Sequence, residues 1–444
     1  MNLKGTKALV VGMARSGLAS VELLVEQGAE VRATDLNQPT PELLHELAAL
    51  QVPFALQTPE VFERADLIVL SPGVPMDLEP IEAARKRGAT VIGEVELASY
   101  FLRGPVIGIT GSNGKTTTTA LTGHILRESG IPVQVGGNIG TAVTAMIESS
   151  RPEQWNVLEL SSFQLETIRR FRAQIAIALN VTPDHLDRHH SFENYAAAKG
   201  RLFETQQAGD WAVLNADDPV CVGYAAKTVA PPVWFSGTRV VSPGVSLREG
   251  ELWLDGERVI PSGEIPIRGR HNVENTMAAV AACRLAGAGL AQIAAAVRTF
   301  RAVEHRLEFV RNVSGVDFYN DSKATNVDAT LKALDAFAGG LWVILGGKDK
   351  GSDYTVLRGP LSQKARAVML IGAAAAKIRE QIAGAVPLYD SKTLDTAVRD
   401  SYFLAHSGDT VLLAPACASF DQFDNYEHRG RVFKTLAAQL EPKK

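Results

Sequence analysis

The sequence predicts an α/β protein of three domains. The chain has 444 residues, enough for about three domains at roughly 150 residues each. Short apolar runs recur between helical stretches in three successive segments, the pattern of parallel, doubly wound sheets. Two of these runs end in glycine-rich loops that lead into a helix. The predicted boundaries are residues 1–95, 96–300 and 301–444.

In the first segment, strands are predicted over residues 7–12, 30–35, 66–70 and 89–92, with a helix over 16–27 that stops at Gly28. Lys4 and Lys7 precede the apolar Ala8-Leu9-Val10-Val11, which loosely mimics a secretion leader. Arg15 interrupts it early and no small-x-small cleavage pattern follows, so a buried strand is the reading. Ser71-Pro72-Gly73-Val74-Pro75 must be a loop. The second segment offers strands over 105–110, 156–160, 174–180 and 211–215, and an alanine-rich helix over 275–300 that closes the domain. The third offers strands over 316–320, 341–345, 367–371 and 410–413. No solenoid repeat or low-complexity linker interrupts these segments.

Hydrophobic residues make up 46% of the chain, an ordinary globular share. Its 45 basic and 49 acidic residues leave a net charge of -4. That balance argues against coating a nucleic acid, which needs clustered surplus cation. Cys221, Cys283 and Cys417 are odd in number and widely spaced. A disulfide framework or cysteine zinc site is not expected, and a reducing cytoplasm fits. No uncharged apolar run approaches the length of a membrane span.

The strongest local signal is Gly111-Ser112-Asn113-Gly114-Lys115-Thr116-Thr117. It follows an apolar strand and opens a helix, the context that a phosphate loop requires. Glycines let the backbone wrap an anion, and the helix start adds its positive dipole end. Lys115 supplies a mobile cation, and the Thr116 hydroxyl can ligate magnesium. Ile109 stands where the strict pattern has its first glycine, so this is a shortened variant. Glu159, inside the apolar run 156–160, must be satisfied by a cation or by hydrogen bonds. The fragment alone leaves metal ligand and loop cap equally open.

A third signal runs from Asn180 to His190 and includes Asp184, His185, Asp187, Arg188 and His189. His185 and His189 are four apart, as on one face of a zinc-binding helix. Pro183 disfavours a regular helix and no further ligand completes a zinc site, so the fragment alone reads as a solvated polar loop. Gly12-Met13-Ala14-Arg15-Ser16-Gly17 is an imperfect dinucleotide fingerprint, with Asp35 ending the next strand where a ribose-binding acid sits. A nucleotide-shaped substrate fits this loop better than hydride chemistry, because a separate phosphate loop already exists.

Taken together, these fragments resemble the ADP-forming Mur ligases, which form amide bonds in peptidoglycan precursor synthesis. The resemblance covers essentially the whole chain. It is carried also by Gly136-Gly137-Asn138-Ile139-Gly140, by residues 158–166, by Asn320-Asp321-Ser322-Lys323-Ala324-Thr325-Asn326 and by residues 415–423. Sister ligases for other amino acids usually carry an Asp-Tyr-Ala-His-x-Pro type of segment where this chain has Asp-Ser-Lys-Ala-Thr-Asn. The branch that adds D-glutamate is therefore implied.

The resemblance implies a Rossmann-like N-terminal domain for a uridine nucleotide, a P-loop-type central ATPase domain and a Rossmann-like C-terminal domain for the amino acid. Gly111, Ser112, Asn113, Gly114, Lys115, Thr116 and Thr117 would hold the phosphates of ATP. Asn272 would meet adenine, with Arg306 and Asp321 contacting the nucleotide from the last domain. Two magnesium ions are implied. Thr116 and Glu159 would hold one. His185 and Lys199 would hold the other, with Lys199 carbamylated by carbon dioxide. Lys115, His185 and Lys199 form the implied catalytic set. Ser16, Asp35, Ser71 and Gly73 would line the uridine site, and Asn138 would reach the reacting end. Lys323, Thr325, Lys350, Ser419, Phe420 and Tyr426 would bind D-glutamate. Lys350 is chosen over Lys348 by loop spacing. The expected partners are small molecules alone, with no nucleic acid and no membrane, for a monomer in the cytoplasm.

Overall fold

The apolar runs become strands of three separate sheets in a computed structural model that describes residues 1–443. In the first sheet, β1 (Lys7–Val11), β2 (Glu30–Asp35), β3 (Phe54–Leu56), β4 (Leu67–Leu70) and β5 (Thr90–Gly93) lie in the order β3-β2-β1-β4-β5. All its neighbours pair in parallel. The strand order reverses beside β1, so the loops after β1 and β4 open onto one crevice, where ligands of such sheets sit. The helix Arg15–Glu26 starts in that crevice and is packed very closely. A Cβ on Gly17 would lie 1.9 Å from the Gly12 carbonyl oxygen.

The second sheet has nine strands. They are β6 (Val106–Thr110), β7 (Val133–Gly137), β8 (Trp155–Glu159), β9 (Ile175–Ala178), β10 (Trp211–Asn215), β11 (Pro232–Ser236), β12 (Gly244–Arg248), β13 (Glu251–Leu254) and β14 (Glu257–Pro261). Their order is β14-β13-β12-β11-β10-β9-β6-β8-β7. Central β6 carries the phosphate loop, with β8 and β9 on either side. β6, β8 and β9 are almost wholly apolar because both faces of a parallel sheet are covered. Phe171 and Phe203 are fully buried against this sheet's core. Phe203→Ala would cost about 3–5 kcal/mol by leaving a cavity.

The third sheet contains β15 (Glu308–Val313), β16 (Val316–Asn320), β17 (Leu341–Gly346), β18 (Ala365–Ile371), β19 (Leu388–Lys392) and β20 (Thr410–Leu413). The order is β15-β16-β20-β17-β18-β19, with only β15 antiparallel. The loops after β16, β17 and β20 therefore gather at one edge.

By packing, the described residues form two compact units. One comprises residues 1–261 and 275–297 and contains the first two sheets; the other comprises 262–274 and 298–443 and contains the third.

Several expectations need correction. The predicted single helix over 275–300 is two, Arg270–Leu285 and Leu290–Thr299. Gly287, at φ 104°, sits in the break, where a glycine accepts a left-handed backbone that ends a helix. β3, β7, β11 to β15 and β19 escaped the reading. Most are edge or hairpin strands with partly exposed faces, so their apolar pattern is diluted. The expected polar loop after Asn180 contains a short helix, Leu186–His189.

Candidate active site

The first crevice is a cavity of about 470 Å³. Its lining includes the predicted Ser16, Asp35, Ser71, Gly73 and Asn138. Asp35 holds the glycine loop in shape. Its carboxylate accepts from the Met13 N–H at 2.7 Å and from the Asn37 N–H at 2.9 Å. The Ser71 hydroxyl donates to the Gly12 carbonyl at 2.7 Å, tying the ends of β1 and β4 together. Ala14 offers no capping side chain, and the first helical turn carries no acid. Helix-start N–H groups of this kind favour an anion. Glu94 also lines this cavity and was missed by the sequence reading. It is 2% exposed, and one carboxylate oxygen accepts from the Thr144 N–H and hydroxyl. Burial pushes its carboxyl above the usual carboxylate range.

The phosphate loop lies between β6 and the helix Lys115–Glu128. Gly114 has φ 89°, and a Cβ there would meet Asn275 Oδ1 at 2.2 Å. Asn180, at the end of β9, clamps the loop. Its carbonyl accepts from the Ser112 N–H at 2.8 Å and its side-chain oxygen from the Asn113 N–H at 2.9 Å. The Ser112 hydroxyl bonds to Thr182 and Tyr195, so Ser112 shapes the loop with its side chain. Thr116 and Thr117 are buried in the first helical turn.

Two lysines meet at one atom. Lys115 Nζ and Lys199 Nζ each donate to the Gly111 carbonyl at 2.8 Å, and Lys115 also donates to the Ser112 carbonyl at 3.0 Å. Lys199 is 1% exposed, on the helix Phe192–Glu204, and 4.5 Å from the centroid of the Tyr195 ring. It is no surface lysine. Burial first, and the neighbouring Lys115 second, hold its amine well below the usual lysine range.

Glu159 closes β8 beside the loop, paired with Ile109 of β6. It is 1% exposed; Oε1 accepts from Asn138 Nδ2 at 2.8 Å, while the buried Oε2 has no hydrogen-bond partner. An anionic oxygen buried without a donor suits a hard divalent cation. His185 has φ 53° and packs edge-on to Phe163 at 4.9 Å, with Asp184 3.7 Å away. His189 is not part of a metal pair with it. Its Nε2 meets the Ser162 hydroxyl at 2.9 Å and its Nδ1 meets Glu166 at 3.1 Å. That chain has the order of a nucleophile relay, but Ser162 is 3% exposed and no substrate could approach it.

Asn272, Arg306, Asp321 and the predicted amino-acid residues belong to the second unit. Asn272 is buried and donates from Nδ2 to the Arg268 carbonyl. Asp321 is pushed up to about 7 by burial, against the opposing pull of Arg306. Lys323 Nζ stands 3.6 Å over the Tyr426 ring, so these two predicted residues meet. The Thr325 N–H donates to the Lys323 carbonyl, which shapes the same turn. Ser419 is buried, whereas Phe420 and Lys350 are exposed. Lys348 is bound through its backbone to Ala418. Arg429, missed by the sequence reading, is fully buried and donates to the Ser322, Cys417 and Ala418 carbonyls, joining the loops after β16 and β20.

Residues 6–93 match the Mur ligase MurD-like N-terminal domain, 109–283 the Mur ligase middle domain, and 305–417 the Mur ligase glutamate ligase domain. The UDP-N-acetylmuramoylalanine–D-glutamate ligase of Solibacter usitatus is 69% identical, with all of both chains covered. That of Acidobacterium capsulatum is 53% identical over 98% of this chain and 97% of its own length. Among solved structures, MurC (UDP-N-acetylmuramate-alanine ligase) of Thermotoga maritima shares the fold with TM-score 0.62 and 19% identity, over 98% of this chain and 99% of its own. A pseudomurein peptide ligase type C of Methanothermus fervidus does so with TM-score 0.61 and 19% identity, over 98% and 100%. Full-length identity of this degree, on a chain whose phosphate loop, buried lysine and orphaned glutamate meet around Gly111, places the protein in the Mur ligase family.

Proposed function

We infer that the protein is an ATP-dependent, ADP-forming ligase that joins D-glutamate to UDP-N-acetylmuramoyl-L-alanine in peptidoglycan precursor synthesis. The convergence of Lys115 and Lys199 on the Gly111 carbonyl, beside the orphaned Glu159, carries this reading. Two lysine side chains and a carboxylate oxygen without a donor are thereby gathered at the loop that would take a triphosphate. Whole-chain identity to D-glutamate ligases supports the choice of substrates.

A carboxylate is a poor electrophile. The γ-phosphoryl group of ATP is transferred to a carboxylate oxygen of the UDP-linked substrate, and ADP leaves. The neutral amine of D-glutamate then attacks the acyl carbon, phosphate departs with the electrons of the broken C–O bond, and the nitrogen gives up one proton to solvent or to the departing phosphate. The loop N–H groups and Lys115 hold the phosphates in line, so that positioning and electrostatics lower the barrier. Thr116 and Glu159 would hold one magnesium ion, and His185 and Lys199 a second. These ions supply neutralisation of charge on the phosphoryl group and the developing oxyanion. Asn138, which lines the first crevice and donates to Glu159, would reach the reacting end of the substrate.

Lys199 serves as a metal ligand only after carbamylation. Its neutral amine adds to carbon dioxide, an N–C bond forms, and one proton leaves, giving an anion. Burial of the amine and repulsion from Lys115 hold it in the neutral form that can add to carbon dioxide, and the Lys115 cation would then attract the anion formed. The second unit binds D-glutamate through Lys323 and Lys350 with the Thr325 and Ser419 hydroxyls, each charged contact contributing about 1.5–3 kcal/mol. Asn272, Arg306 and Asp321 contribute to the nucleotide site. Residues 1–95, 96–300 and 301–444 serve as substrate, ATP and amino-acid domains. No helix among the described residues is long and apolar enough to cross a membrane. A cytoplasmic monomer acting on small molecules completes the reading.

The test is phosphate release with the UDP-linked acceptor across a panel of amino acids. D-glutamate alone should support turnover. Brisk release with L-glutamate, L-lysine or L-alanine would move the chain to another specificity.

A further inference from the structure

Arg188 reaches back 114 residues along the chain to a loop that lines the first cavity. Its side chain is only 16% exposed. One terminal nitrogen donates to the Val74 carbonyl at 3.0 Å and to Glu166 Oε2 at 3.1 Å. The guanidinium carbon lies 5.2 Å from the centroid of the Phe163 ring.

Each end of this bridge touches a site. Val74 belongs to the loop after β4 and lines the first cavity with Gly12 and Ser71. Its Cγ2 fills the space beside Gly12, where an added Cβ would come within 2.9 Å. At the other end, Phe163 packs against His185 at 4.9 Å. Glu166 also holds His189, four residues beyond His185. A planar guanidinium with one carbonyl, one carboxylate and one ring as neighbours has little freedom to follow a shift in any of them.

We propose that Arg188 is a positioning residue that couples occupation of the first cavity by a uridine diphosphate group to the placement of His185, whose ring lies 6.4 Å from that of Tyr195, the hydroxyl partner of Ser112 in the phosphate loop. A ligand that orders the loop after β4 fixes the Val74 acceptor. That fixes Arg188, and through the Phe163 ring it narrows the range of His185. Each ligand then meets a site that the other has already ordered, so each raises the affinity for the other by the same factor. This rests on the functional reading above, which supplies the two ligands.

The experiment measures UDP binding by calorimetry, with and without a non-hydrolysable ATP analogue and magnesium. In the unaltered protein the analogue should tighten UDP binding about 5-fold or more. In Arg188→Met the factor should fall below about 2, while either ligand alone binds within about 3-fold of its original affinity. Arg188→Lys, a point charge in place of a planar fork, should give an intermediate factor. Phe163→Leu should weaken coupling with Arg188 intact, and the double variant should lose no more than Arg188→Met. If Arg188→Met does not fold, Phe163→Leu carries the test. An unchanged factor in the variant that folds overturns the proposal, as does an equal loss of both separate affinities. An unaltered protein that binds both ligands with no coupling overturns it too. One that binds neither refutes instead the functional reading.

Discussion

Lys199→Met separates what the buried amine does for the fold from what it does for the reaction. Lys115 and Lys199 each lie 2.8 Å from one carbonyl oxygen. If both were charged, they would stand roughly 5 Å apart and repel by about 3 kcal/mol at an effective dielectric near 20, so folding instead takes the proton from Lys199 at a cost. Methionine keeps the apolar stem and removes the cost of deprotonating a lysine on folding. The lost bond to Gly111 returns about 1 kcal/mol in the other direction, and Lys115 still serves that carbonyl. In buffer stripped of carbon dioxide, the variant should therefore be more stable by about 1–2 kcal/mol, read by urea unfolding. Its ligase turnover should fall at least about 100-fold.

The sign of the pH effect follows from the direction of the shift. The folded amine titrates below its unfolded value. Its contribution to stability is therefore present above the unfolded pKa and is lost as pH falls through the folded one. Added bicarbonate at mildly alkaline pH should stabilise the original protein and leave Lys199→Met unmoved. A variant destabilised by more than about 1 kcal/mol, or an original protein fully active and unresponsive to bicarbonate, would refute the account.

Glu159→Gln should abolish magnesium-dependent turnover by about 100-fold or more, with stability unchanged or raised, because it removes a buried anionic oxygen that lacks a donor; circular dichroism and phosphate release check both. Gly114→Ala should cost about 1–2 kcal/mol for the left-handed backbone and weaken nucleotide binding at least about 10-fold through the Asn275 clash, read by calorimetry. Asp321→Asn should flatten the pH dependence of unfolding. The raised carboxyl, at about 7, contributes stability that is full below pH 4 and lost as pH rises through 7. The original protein should therefore lose up to about 2–4 kcal/mol between pH 5 and 8 that the asparagine variant does not.

The phosphate loop was legible because its requirements are local. Gly111, Gly114 and Lys115 must sit within five residues to wrap one anion, and sequence records such spacing directly. Asp35 was legible because it ends a strand that follows a glycine loop, whereas the role of Ser71 came only through the family resemblance. Glu94, Asn180, Arg188 and Arg429 were not read as positioning groups because each acts on partners far along the chain, and an isolated charge does not name its acceptor. Arg429 meets Ser322 across 107 residues. Lys199 could be singled out only through the family resemblance, since no spacing rule foretells that one lysine of a helix faces inward. The strands of the 232–261 extension escaped because Pro231, Pro232 and Pro243 interrupt the pattern and the hairpins show solvent one face.

Gly137 bears on drug resistance. It lines the first cavity at φ 104°, and any Cβ there would come 2.3 Å from the Glu159 carbonyl oxygen. That oxygen cannot easily yield, because it is main chain in the adjoining strand β8. An inhibitor that rests on that bare backbone would touch a position where any side chain must displace the Glu159 main chain, so resistance would have to arise elsewhere.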